Sequence, residues 1–356
     1  MATFNTETLK KLVSYAIQGA GLNDKIELST YIGISVSNNT LYLNTTDGTN
    51  YLRVTDSCDA DDMDITVDAE TFSKLIGKIN SDTIDLAVVG NTLVVTGNGT
   101  YKLGIIPTES GNPFIFPDVY PIISESIGSI SASDLLIINS TIKASLSSVV
   151  DSVYSSYYFG DVIASTDRYM MSVFNRKIFD TPYILDRQFV DLMCLGNVDV
   201  TLSRNSDTII SNAHLTDTCE ISVCAKIPTN TADFNVSGVD AFMGLETPSF
   251  CRIKKAQLLD LLDRLSLFVD KFDQGAIELH FMNGYAEISS MASSGVECVE
   301  YTESKDFKDT IIKINIDRLR NQLKAHNSDI VDIYYGSDMC IKLVDGDITQ
   351  VIALIK

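Results

Sequence analysis

The sequence predicts an α+β protein built from three copies of one unit, each with two helices laid on antiparallel sheets. Three observations carry this prediction. A strand–helix–strands pattern is written three times, a second set of helices keeps a similar period, and the helices differ in charge from the rest of the chain.

The first copy of the pattern starts at residues 65–80, ITVDAETFSKLIGKIN. Its β-branched run ends at Asp68, which suits a helix N-cap. Phe72, Leu75, Ile76 and Ile79 then recur at helical spacing, with Lys74 and Lys78 on the other side. IDLAVVG and NTLVVTG follow, joined at Gly90-Asn91, and then TYKLGIIP. The same order returns as YILDRQFVDLMCLG, VDVTLS, DTIISNA and CEISVCAKIP. It returns again as IKINIDRLRNQLKAH, IVDIYYG, MCIKLVD and TQVIALIK. The helix-opening aspartates are Asp68, Asp186 and Asp317, spaced by 118 and 131 residues. An earlier helix precedes each copy (ETLKKLVSYAI, SDLLIINSTIKASL, KAQLLDLLDRLSLF), and its aligned leucines Leu9, Leu135 and Leu258 are spaced by 126 and 123. That is a domain period, too long for a solenoid.

In chain order, residues 4–19 form the first helix. Residues 25–29 and 32–36 read as strands, and 38–55 reads as a hairpin. Residues 108–122, with three prolines and a glycine, read as a linker. The second copy has its hairpin at 155–174, and a longer linker covers 228–249. The third copy has its hairpin at 276–293 and runs to the last residue. The predicted domains are 1–118, 119–240 and 241–356, each with about eight short strands. A chain of 356 residues with 45% hydrophobic content is about two to three times the usual domain size and can fill several cores.

Seven cysteines at 58, 194, 219, 224, 251, 298 and 340 include no CxxC pair, and no run approaches eighteen apolar residues. A reduced, cytoplasmic protein with cysteines as core fillers is the expectation. The three histidines are scattered, and HExxH, GxSxG and GxxxxGK are absent. No enzyme activity, cofactor or metal is therefore expected. Thr46-Asp47 and Thr166-Asp167 read either as acid/base dyads or as turn caps, and their hairpin positions favour caps.

Net charge is −20, which by itself argues against a nucleic-acid partner. Its distribution points the other way. The six expected helices, 6–18, 68–80, 131–148, 186–196, 254–268 and 316–326, carry twelve Lys/Arg and nine acids. That is +3, against −23 for everything else. The competing explanation is that lysines on helices serve propensity and solubility.

Several of these stretches together resemble the bacterial-type DNA sliding clamp, the DNA polymerase III β subunit family, over nearly the whole chain. LYLNTTDGTNYLRV and VIASTDRYMMSV resemble its Thr-Asp hairpins. ITVDAETFSKLIGKI followed by LVVTGNGTYKLGIIPTESGNPF resembles its helix, glycine-rich hairpin and linker, and VIALIK its short C-terminal strand.

The resemblance implies three clamp domains per chain and two chains closed head to tail into a ring. Helices would line the pore and duplex DNA would thread it without sequence readout. Diffuse phosphate contacts fall on Lys10, Lys11, Lys74, Lys78, Lys143, Arg187, Lys254, Lys255, Arg318, Arg320 and Lys324, with Arg264 and others free to pair with acids instead. Ring closure falls on Tyr101 and Leu103 facing Leu267 and Phe268, for which core packing is the alternative.

The resemblance also implies a hydrophobic groove that takes short peptides from polymerase, clamp loader and repair proteins. Its residues here are Tyr154, Thr166, Arg168, Tyr169, Met171, Pro248, Ile352 and Leu354; for the last two, plain core is the alternative. The chain departs from the family's Gly-His-Arg-Leu with Arg168-Tyr169-Met170-Met171, and has Ala353 where proline is usual. Arg168 then either narrows the groove or meets an acidic peptide. The implied function is a non-catalytic processivity factor for DNA replication, with phage origin suggested by divergence and composition. A clamp-like structural protein or a decoy regulator without DNA in its centre is the alternative.

Overall fold

The computed structural model describes residues 2–21, 26–121, 124–149, 152–227, 234–270, 273–291 and 294–356. The first third contains β1 (Ala2–Asn5), α1 (Thr6–Ala16), β2 (Tyr31–Ser37), β3 (Thr40–Thr46), β4 (Asn50–Ser57), β5 (Met63–Asp68), α2 (Ala69–Lys78), β6 (Thr83–Val89), β7 (Thr92–Thr96) and β8 (Thr100–Gly104). The second contains β9 (Glu125–Ile130), α3 (Ala132–Ile137), β10 (Ser156–Phe159), β11 (Ile163–Thr166), β12 (Met170–Phe174), β13 (Tyr183–Asp186), α4 (Arg187–Met193), β14 (Val200–Arg204), β15 (Thr208–His214) and β16 (Glu220–Lys226). After α5 (Val236–Met243) comes the last third. It runs β17 (Ser249–Lys254), α6 (Lys255–Leu265), β18 (Ala276–Met282), β19 (Tyr285–Ser290), β20 (Val296–Glu300), β21 (Glu303–Lys305), β22 (Thr310–Asn315), α7 (Ile316–Ala325), β23 (Ile330–Tyr335), β24 (Cys340–Asp345) and β25 (Ile348–Ala353).

One strand plan recurs in each third. Its second to fifth strands form one antiparallel block, and its first and last three form another; β21 is an addition in the last third. By contacts the chain divides into two compact units, Met1–Leu135 with Gln188–Ile227, and Leu136–Arg187 with Pro228–Lys356. This division cuts through the middle third, because its two blocks join different neighbours. In the first unit β16 pairs with β4, from Glu220↔Thr55 to Ala225↔Asn50, making the sheet β5-β2-β3-β4-β16-β15-β14-β9. In the second unit β25 pairs with β12, from Met170↔Ile352 to Phe174↔Ile348, making the sheet β13-β10-β11-β12-β25-β24-β23-β17-β21. Two four-stranded sheets, β1-β6-β7-β8 and β20-β19-β18-β22, end on β8 and β20.

The helices form where apolar spacing and caps coincide. Leu9, Leu12, Val13 and Ala16 bury one face of α1, which Asn5 caps by accepting from Thr8 N at 3.1 Å. Phe72 and Ile76 bury one face of α2 under an Asp68 cap, which accepts from Thr71 N at 2.8 Å. Leu258, Leu261, Leu262 and Leu265 of α6 and Leu319 and Leu323 of α7 share the second unit's core with Ile277, Phe281 and Tyr335. In that core the rings of Phe281 and Tyr335 stack at 3.9 Å. Leu9, Leu135 and Leu258, the leucines that set the helix period, are all buried.

Several expectations are corrected. Asn315, not Asp317, caps α7, accepting from Arg318 N at 2.9 Å; Asp317 lies in the first turn, where an acid suits the helix dipole. The helix expected over 131–148 changes type twice. A π turn at Ile138–Ile142 and a 3-10 turn at Lys143–Ser145 follow α3, where the Ser140 hydroxyl donates back to Leu136 O at 2.7 Å. Of the expected strand 25–29, residue 25 lies outside the described residues and Glu27–Thr30 is a 3-10 turn. In the second linker, residues 228–233 lie outside the described residues, and α5 occupies its middle. The first linker is strapped down. Phe116 packs against Gly33, the Arg53 guanidinium lies 4.2 Å from the Tyr120 ring centroid, and Arg53 pairs with Asp118 at 2.8 Å.

Candidate functional site

The second unit carries an apolar cavity of about 230 Å³ between the β11–β12 hairpin, α5 and the end of β25. The hairpin fixes one wall. Thr166 Oγ1 donates to Met170 O at 2.7 Å and accepts from Arg168 N at 3.0 Å, while Asp167 Oδ1 accepts from Tyr169 N at 2.8 Å and Met170 N at 2.6 Å. Thr46 and Asp47 make the same bonds in the β3–β4 hairpin. These oxygens are occupied by turns, which decides for the capping reading of both Thr-Asp pairs.

The second wall is α5. Its cap Asn235 accepts from Gly238 N at 2.9 Å, and its C-terminal end is held by Lys342, a buried lysine whose Nζ donates to Met243 O at 2.8 Å and Leu245 O at 2.7 Å. A charged donor on these carbonyls satisfies the helix end and neutralises the cost of burying the ammonium. Val239 and Phe242 turn into the cavity. Behind them Phe234 stacks on Tyr158 at 5.3 Å, and burial pushes the Tyr158 hydroxyl above its ordinary pKa, with Asp161 and Asp240 adding to it.

The floor is the seam between β12 and β25. Met171 pairs with Val351, so both face the cavity, and Ala353 N donates to Tyr169 O at 2.9 Å beside them. On the opposite face, Ser172 pairs with Gln350 in a buried network: Gln350 Nε2 donates to Gln322 O at 2.9 Å and lies 2.9 Å by its Oε1 from His326 Nδ1.

Five expected groove residues, Tyr154, Thr166, Arg168, Tyr169 and Met171, therefore line one cavity. Ile352 and Leu354 do not. Ile352 is fully buried in the α6–α7 core and Leu354 packs against it, while Val351 and Ala353 take the groove face. A strand's side chains alternate, so reading it one residue out exchanges its faces. Pro248 also lies away from the lining; its ring sits 3.1 Å from the Cβ position of Gly336. Asn235, Gly238, Val239 and Phe242 were not anticipated, although an Asn followed by apolar residues at helical spacing is a readable start signal.

The expected DNA-contacting cations divide by what holds them. Lys10 pairs with Glu7 at 3.3 Å, Lys74 with Glu70, and Arg320 with Asp263 and Asp317. Arg264 pairs with Glu297, a hydrogen bond that lowers the Glu297 pKa. Lys255 Nζ donates to His326 O at 2.8 Å and Lys143 Nζ to Asn139 Oδ1 at 3.2 Å. Lys11 lies 6.0 Å from the Tyr15 ring and Arg318 4.0 Å from the Tyr169 ring. Arg187 is exposed. Lys78, Lys254 and Lys324 are exposed without an ion pair among the described residues.

Three of the four expected closure residues are exposed. Tyr101 is 40% exposed, Leu267 81% and Phe268 51%, so core packing does not account for these three, while Leu103 is half-buried. Tyr101 and Leu103 lie on the edge strand β8. Among the described residues no group of three His, Cys, Asp or Glu side chains is placed to hold a metal ion, and no helix is long and apolar enough to cross a membrane.

No family model matches the sequence, and no curated protein sequence matches it. The fold, in contrast, matches solved structures along its whole length. The β subunit of DNA polymerase from Streptococcus pyogenes superposes with a TM-score of 0.85 at 15% identity, covering 99% of each chain. A DNA polymerase sliding clamp from Pseudomonas aeruginosa gives 0.84 at 17% identity over 100% of this chain and 99% of that one. The DNA polymerase III β chain from Streptococcus pneumoniae gives 0.84 at 16% identity over 100% of both. The chain has the α+β fold of these sliding clamps.

Proposed function

We propose that this chain is a sliding clamp: a non-catalytic, cytoplasmic processivity factor that encircles duplex DNA as a homodimeric ring and tethers a polymerase through the β12–β25 groove. The end-to-end match to sliding-clamp structures carries this reading. Under it the chain is three domains, 1–118, 119–240 and 241–356, and the repeated strand plan gives a rule for closure.

In the first unit the last strand of one repeat, β16, pairs with β4 of the repeat before it. In the second unit β25 pairs with β12 in the same way. Continued once more, the rule pairs β8 of one chain with β20 of another. Both are edge strands, which otherwise present unpaired backbone groups that invite aggregation. The seams also bracket the register. Glu220, first in β16, faces Thr55, two residues before the end of β4, which carried over sets Thr100 against the exposed Cys298. Ile348, first in β25, faces Phe174, the last of β12, which sets Thr100 against Glu300 and Lys102 against Cys298. Tyr101 and Leu103 then share a face with Val299, over Leu267 and Phe268.

Encirclement needs little DNA affinity. Each phosphate neutralised adds a log–log salt slope of about 0.9, and strong contacts would slow sliding. Cations half-committed to acids, with Lys78, Lys254 and Lys324 left over, fit a weakly basic lining. Native mass spectrometry tests the assembly: a species of twice the 39.1 kDa chain is expected, and Leu103→Asp with Phe268→Asp should yield monomers. A wild-type chain that stays monomeric at micromolar concentration would overturn the ring.

A further inference from the structure

Arg168 occupies a backbone position that its turn does not require arginine to fill. Its φ is +79°, in the left-handed region that favours glycine; Gly48 holds the matching position of the β3–β4 hairpin at +97° with the same hydrogen bonds around it. The side chain returns nothing to the fold by pairing. In a chain with 47 acids against 27 basic residues, its guanidinium makes no hydrogen bond or ion pair among the described residues, and rests 5.0 Å from the Tyr154 ring. Among the described residues Arg168 is also the one charged residue lining the cavity. Arg318 stands by in the same manner, held by the exposed Tyr169 ring and by no carboxylate among the described residues.

An unpaired guanidinium held over an aromatic ring, at the mouth of an apolar cavity, is pre-set for a bidentate carboxylate. We infer that Arg168 sets the ligand class of this groove. It selects a linear protein segment that carries an Asp or Glu side chain next to an aliphatic or aromatic anchor. The anchor fills the space between Met171, Val239, Phe242 and Val351, while the acid meets Arg168. This rests on the groove reading above and adds to it the charge of the ligand. It also explains how a strongly acidic protein takes an acidic segment, since the attraction is local and the general repulsion is screened by salt.

The test is selection of a displayed library of random nonapeptides on the full-length protein, on Arg168→Gly, and on Ala353→Phe, which fills the cavity. C-terminally amidated synthetic copies are then measured by fluorescence polarisation. Wild-type protein should enrich peptides with an acid beside an apolar pair, and changing that acid to its amide should weaken binding about tenfold. With Arg168→Gly the acid–amide difference should fall to about onefold while apolar selection remains, and Arg168→Lys should restore part of it. Equal binding of acid and amide peptides to wild type, with apolar selection intact, overturns the role of Arg168 and leaves the groove standing. No enrichment over Ala353→Phe overturns the groove itself. Amidation removes the terminal carboxylate, so an acid preference seen only with free C-termini also counts against the proposal.

Discussion

At the scale of the residue, the recognition role proposed for Arg168 can be tested apart from folding. An L-residue in the left-handed region costs about 1 kcal/mol, so Arg168→Gly should leave stability unchanged or raise it by up to about 1 kcal/mol, although it deletes a cation–π contact. The reverse change, Gly48→Arg, should cost at least about 1 kcal/mol, because φ there is +97° and a Cβ would lie 2.9 Å from Ile26. Urea unfolding of both variants checks this, and a clear loss of stability in Arg168→Gly would assign the arginine a structural role. Glu297, whose pKa is lowered by Arg264, gives a pH signature. Its contribution is present above the ordinary glutamate range and is lost as pH falls through the lowered value, so β20 should loosen in acid. Arg168 itself was legible in the sequence as a departure from glycine. Its unpaired state was not, because no local pattern tells which acids lie within reach.

Among the elements, the strands and helices that repeat were readable, since apolar periodicity, caps and turn residues agree at each copy. Where they disagreed, the reading failed. The helix expected over 131–148 is interrupted: the Ser140 hydroxyl donates back to Leu136 O, while Thr141 donates away from its own helix to Ala325 O. The linker 228–249 hid α5 behind a composition rich in Gly, Pro and Thr, and the C-terminal strand turns Val351 and Ala353 to the cavity in place of the expected Ile352 and Leu354. Periodicity says that faces alternate; only the partner strand says which face meets the groove. α5 depends on a residue almost a hundred positions away, Lys342, which holds its last carbonyls. Lys342→Met should therefore cost about 2 kcal/mol and increase amide exchange in α5 before the rest of the second unit. Uniform exchange along the chain in that variant would show that α5 has no separate stability.

For the whole molecule, three helix–strand copies were legible in the sequence, whereas the way their sheets join was not. Each seam is made by strands roughly 170 residues apart, β4 with β16 and β12 with β25, a separation that no short pattern reports. Those two seams also supply the proposed rule that leaves β8 and β20 to pair with a second chain, and the register of the β12–β25 seam sets Lys102 against that chain's Cys298. Closure by that register and threading of DNA are one claim, and a covalent ring tests both. Lys102→Cys protein, loaded on nicked circular duplex and joined by a short thiol cross-linker, should yield a linked dimer. That dimer should survive a high-salt wash on the circle and be released when the DNA is cut. Equal release from circular and linear DNA by the linked dimer, or no linkage beyond that of the wild-type protein, would contradict encirclement.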